Sequence, residues 1–130
     1  MIDISNSYNS QQTIAQPISI SGIGLHSGVD ISMKLYPAKA DYGIKFIRKD
    51  LNNNNVIEAL WSNVTNTKLS TTISNQSGVS VSTIEHLMSA LSGLHIDNIK
   101  IEINGPEVPI MDGSSIKFVN LIDSTSIKKL

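Results

Sequence analysis

The feature that most constrains this chain is a strict alternation of apolar and polar residues in two well-separated segments. Val29, Ile31, Met33 and Leu35 alternate with Asp30, Ser32, Lys34 and Tyr36, and Ile99, Ile101 and Ile103 alternate with Lys100, Glu102 and Asn104. Successive side chains of a strand point to opposite faces, so each segment reads as a strand with one face in a core and the other in water. Such strands belong to antiparallel or mixed sheets, because parallel sheets covered on both faces read as unbroken apolar runs. Ile14, Ile18 and Ile20 give a further strand that ends at Gly22 and Gly24; Ile44 and Phe46 give another, with Pro37 and Gly43 marking the connection before it. Shorter strands are expected over 56–61, over 71–74, and at Val79 and Val81 after a turn at Gly78.

Two helices complete the expected fold. Ile84, Leu87, Met88 and Leu91 recur at i, i+3, i+4 and i+7, which predicts a helix over 83–93 with Ser82 as its cap and Gly93 at its end. A second helix is expected over 115–123, after a turn at Asp112 and Gly113 and a cap at Ser114. Strands and helices without a βαβ rhythm predict an α+β fold, a two-layer sandwich of a mostly antiparallel sheet with two helices on one face. The chain has 130 residues, which fits one domain of roughly 100–200 residues. Residues 1–12 are polar and expected to form a mobile arm, 13–123 the domain, and 124–130 a linker-like tail.

Charge and composition remove several function classes. Ten Lys and Arg against eleven Asp and Glu give a net charge of −1, so no basic surplus exists to neutralise a nucleic-acid backbone. No apolar run approaches the ~20 residues of a membrane span, and the start lacks the pattern of a secretory signal, so a cytoplasmic location is expected. Without cysteine there is neither a thiolate nucleophile nor a cysteine zinc site. Gly22 and Gly24 lack the third glycine and following helix of a dinucleotide loop and are assigned to turn geometry.

The chemistry concentrates on Glu85 and His86. Both fall opposite the apolar stripe of the first helix, straddling Ser89, on a face that also carries Ser92 and Gly93 instead of the usual Lys and Arg. Small residues there allow another surface to come close, so the helix is expected between its own sheet and a partner surface or substrate, with the pair lining a cleft. An imidazole beside a carboxylate suits a metal hydrolase, in which the first holds Zn2+ and the second takes a proton from water. The plainer reading is a capping box, in which Glu85 reaches back to the Ser82 N–H. His95 falls on the other side of the helix from His86, and His26 sits in a glycine-rich loop, so a metal site would need ligands from outside this chain. The two prolines around Glu107 read as a rigid connector, with Asp112 a possible acceptor for a ligand imidazole.

Four segments in order, GIGLHSG at 22–28, TKLSTTIS at 67–74, STIEHLMSALSGLHIDN at 82–98 and PEVPIMDGSS at 106–115, closely resemble the N-terminal half of the UDP-3-O-acyl-N-acetylglucosamine deacetylases, zinc amidases of lipid A biosynthesis. The resemblance covers about residues 13–123. It implies that His86 is a zinc ligand, that Glu85 is the general base, and that His26 and Asp112 are supporting residues near the site. It implies UDP-3-O-acyl-N-acetylglucosamine as the substrate of the complete enzyme, and a second, similar domain, in cis or in trans, that completes the zinc site. The isolated chain is therefore expected to be inactive. The competing expectation is a non-catalytic α+β interaction or binding module that keeps the fold without the enzyme.

Overall fold

The computed structural model describes residues 10–111 and 115–130. Its centre is a six-stranded sheet in the order β10-β2-β3-β9-β4-β5. These strands are β2 (Ile18–Gly24), β3 (Asp30–Pro37), β4 (Ile44–Arg48), β5 (Val56–Glu58), β9 (Ile99–Ile103) and β10 (Pro109–Ile110). Every pairing is antiparallel except β4 with β9. The two strands with the cleanest alternation, β3 and β9, are neighbours, with Met33 opposite Ile103 and Leu35 opposite Ile101. Their apolar sides form one buried face, while Ser32, Lys34, Lys100 and Glu102 lie on the other.

Helix α1 (Glu85–Gly93) and helix α2 (Ile116–Asp123) cover the apolar face. Leu87, Ala90 and Leu91 of α1 and Phe118 and Ile122 of α2 share one core with Ile20, Met33, Phe46, Ile57 and Ile101 of the sheet. Each large apolar side chain so buried contributes about 1.5–3 kcal/mol relative to exposure. The observed architecture is thus the expected α+β sandwich, with a mixed sheet and both helices on one face.

Two smaller sheets lie outside this layer. β6 (Val64–Asn66), β7 (Thr72–Ser74) and β8 (Ser80–Ser82) form one, entered from a short 3-10 turn at Trp61–Asn63. β1 (Gln12–Ile14) and β11 (Ile127–Lys129) form the other. The second pairing moves both domain edges: Gln12 and 127–129, expected in the arm and the tail, are strand residues of the folded unit. Asp97 also accepts the Gln12 N–H at 2.9 Å, and the Gln12 side chain donates to the His95 carbonyl at 2.9 Å. Polar composition hid this edge because its bonds are made by backbone and amide groups.

The C-terminal end of α1 falls at Gly93, where it was expected. Gly93 is the last helical residue, and the left-handed turn comes two residues later, at His95, which has a φ of 57°. The His95 N–H donates to the Ser92 carbonyl and the Ile96 N–H to the Leu91 carbonyl. This is the paired bonding of a left-handed helix terminus, a position histidine tolerates better than most residues. His95 thus has a backbone role that accounts for its place after the helix.

Candidate active site

The first turn of α1 carries Glu85 and His86, both half-buried. With Leu25, Thr83, Pro109, Ile110, Met111 and Phe118 they line a cleft of about 170 Å³. The pair therefore opens to a cavity, and the cleft floor is apolar. A larger hollow, about 420 Å³ on the solvent side of the sheet around Lys34 and Glu102, contains none of the candidate residues.

The capping box does not form. The N-cap position is Ile84, with no side-chain cap, and the Ser82 hydroxyl donates to the Pro106 carbonyl at 3.3 Å. Glu85 instead accepts the Thr71 N–H through Oε2 at 2.7 Å, while the Ile84 N–H donates to the Thr71 carbonyl at 3.3 Å. Thr71 thus bonds to the helix start in both directions, so the segment between β6 and β7 fixes where the Glu85 carboxylate sits. A carboxylate at a helix N-terminus is also favoured by the helix dipole.

Glu107, read from sequence as part of a rigid connector, is the central polar group of this region. It is only 2% exposed. Its Oε2 accepts the His26 N–H at 2.9 Å and the Thr83 hydroxyl at 3.0 Å, and its Oε1 accepts the Ser27 N–H at 3.0 Å. Burial alone would raise the pKa of this carboxyl, but the His26 and Ser27 N–H groups and the Ser27 and Thr83 hydroxyls outweigh it and hold the value below the ordinary 4.5. The same carboxylate explains Gly24, where a Cβ would collide with Glu107 Oε1 and the Ser27 hydroxyl. Gly28, with a φ of 68°, supplies the left-handed turn that returns the chain toward β3. The glycine-rich loop is therefore an anion-wrapping turn whose anion is the protein's own side chain. The only sequence signal for this was a carboxylate between two prolines, which does not announce a partner some eighty residues away.

His26 is exposed and lines a separate hollow of about 280 Å³ with Asn66, Lys68, Leu69, Ser70, Thr72 and Ser82. The structure thus brings Glu85 and His86 into one cleft and places His26 in an adjoining one, joined to it through Glu107 and Thr83. Asp112 and the expected cap Ser114 lie outside the described residues. Among the described residues, no group of three or more His, Cys, Asp or Glu side chains could hold a metal ion.

The sequence model of the UDP-3-O-acyl N-acetylglycosamine deacetylase family matches residues 11–130. The chain belongs to that family. It is 47% identical over 124 residues to the UDP-3-O-acyl-N-acetylglucosamine deacetylase of Myxococcus xanthus (strain DK1622), a match covering 95% of this chain and 39% of the relative. It is 54% identical over 118 residues to the protein of that name in Geobacter sp. (strain M21), covering 91% of this chain and 38% of the relative. In Syntrophus aciditrophicus (strain SB) the figures are 44% over 118 residues, 91% and 37%. The chain thus spans under two fifths of the length of these relatives.

Proposed function

We propose that this chain forms the part of a UDP-3-O-acyl-N-acetylglucosamine deacetylase that bears the general base, Glu85, and one zinc ligand, His86. The observation that carries the proposal is the placement of the two side by side on the first turn of α1, lining one cleft, in a member of this family. The donors fit zinc in kind: imidazole is a common zinc ligand, and a catalytic site takes three protein ligands. They fall short in number, so the remaining ligands come from outside the described residues, in the rest of the enzyme, joined in cis or supplied in trans. A bound zinc ion would supply a Lewis acid that polarises the amide carbonyl and acidifies water.

The residues of this chain then have separable tasks. Glu85 is held by the Thr71 N–H at Oε2 and takes the proton of the attacking water on Oε1. That proton passes to the sugar nitrogen as the amide C–N bond breaks, and with the second proton of the water also ending on the nitrogen, N-acetyl group plus water gives acetate plus the ammonium form of the sugar amine. Leu25, Pro109, Ile110, Met111 and Phe118 give the cleft an apolar lining beside the carboxylate. His26 and Asp112 act as supporting residues at its margins. Lipid A biosynthesis and a cytoplasmic location belong to the same proposal. Among the described residues, no helix is long and apolar enough to cross a membrane.

The test is to join this chain to the remaining segment of the Myxococcus xanthus relative, with zinc supplied, and to measure acetate release from UDP-3-O-acyl-N-acetylglucosamine. The expected result is turnover by the joined protein and by the two pieces mixed, with none from either piece alone. Correctly folded joined protein without turnover favours the non-catalytic module.

A further inference from the structure

We propose that Glu107 is a positioning residue: its buried carboxylate fixes the loop bearing His26 to the start of helix α1, so that one side chain sets the spacing of the two halves of the site. The inference rests on the function proposed above for what it does to turnover, but not for its structural content.

The observations converge from two sides. Toward the loop, Glu107 gathers the N–H groups of His26 and Ser27, both on exposed residues that would otherwise bond to water. Toward the helix, it accepts the hydroxyl of Thr83, which is 7% exposed and lies two residues before Glu85. Thr83 has a φ of 59°, a left-handed conformation that is rare for a β-branched residue and persists only where surroundings impose it. The backbone around Glu107 is fixed as well: the Ser82 N–H donates to the Pro106 carbonyl at 2.8 Å, and the Val108 N–H donates to the Ser82 carbonyl at 3.0 Å. This parallel bridge leaves the carboxylate little freedom to follow either partner. A core glutamate with no such task would be costly, because a buried charge must be paired or fully hydrogen-bonded.

The experiment uses the 15N-labelled 130-residue chain, comparing wild type with Glu107→Gln and Thr83→Val. A glutamine is nearly isosteric but keeps only one acceptor oxygen, so its NH2 group must face either the Ser27 N–H or the pair formed by the His26 N–H and the Thr83 hydroxyl. In Glu107→Gln, exchange of at least one of the His26 and Ser27 N–H groups with solvent is expected to speed up by about tenfold or more, and the amide signals of Glu85 and His86 to shift, while the N–H of Ile101 in β9 keeps its protection. In Thr83→Val, the Glu85 and His86 signals are expected to shift while Ser27 keeps its protection. Unchanged protection at His26 and Ser27 in Glu107→Gln overturns the proposal. So do unmoved Glu85 and His86 signals in Thr83→Val, which decides the matter if Glu107→Gln loses protection everywhere. In the joined enzyme, Glu107→Gln is expected to lower kcat about 10- to 100-fold with KM little changed. A wild-type joined enzyme without turnover counts against the proposed function alone, since the amide signals still report on Glu107.

Discussion

Replacing Glu85 with Gln is expected to lower kcat for deacetylation by about 10²- to 10⁴-fold in the joined enzyme, the range that a positioned acid or base contributes. The substitution is chosen for what it leaves intact. A glutamine carbonyl can still accept the Thr71 N–H, so the helix start stays attached to the segment between β6 and β7. The loss is confined to the charge of one acceptor, a change of about 1 kcal/mol in stability. Steady-state kinetics with a thermal melt on the same sample separates the outcomes. A large fall in kcat with a melting temperature within a few degrees of wild type assigns proton transfer to Glu85. Unchanged turnover reduces it to a structural partner of Thr71.

Phe118→Ala is expected to destabilise the chain by about 3–5 kcal/mol, lowering the melting temperature by about 11–18 °C for a domain of this size. Phe118 lies in α2 and is 1% exposed, packed in the core that α1 and the sheet share. It also forms part of the cleft floor beneath Thr83, Glu85 and His86. Truncation removes the contact that seats α2 against α1 and opens a void next to the site. Thermal unfolding of the chain followed by circular dichroism checks this. A shift below about 3 °C would mean that α2 contributes little to the core, contrary to its packing.

How far the sequence disclosed all this follows from which forces act locally. β3 and β9 were legible because each is buried on one side only, so every second residue had to be apolar, and α1 was legible because Leu87 and Leu91 both face the sheet. β6, β10 and β11 were not, since strands of two or three residues carry too little alternation and exist only because a distant segment pairs with them. The long crossover from β4 to β9, which makes that pairing parallel, is likewise a decision of the whole chain. At the site, Glu85 and His86 stood out because their helix face carries Ser89, Ser92 and Gly93 where charged residues are usual. The local rule then misled: Ser82 and Glu85 have the spacing of a capping box, but Pro106 and Thr71 offer each a better partner. Glu107 was invisible because its donors come from 24–28 and from Thr83, and nothing near it in the chain records either.

The proposed function requires His86 to be a metal ligand that faces the cleft. Zinc affinity of the joined enzyme, measured by competition with a chelator for wild type and for His86→Gln, tests this most directly. Loss of one of three protein ligands is expected to weaken binding by more than about 100-fold with the amide spectrum of the sheet unchanged. Equal affinity in the two proteins would contradict the assignment, and with it the role given to the first turn of α1.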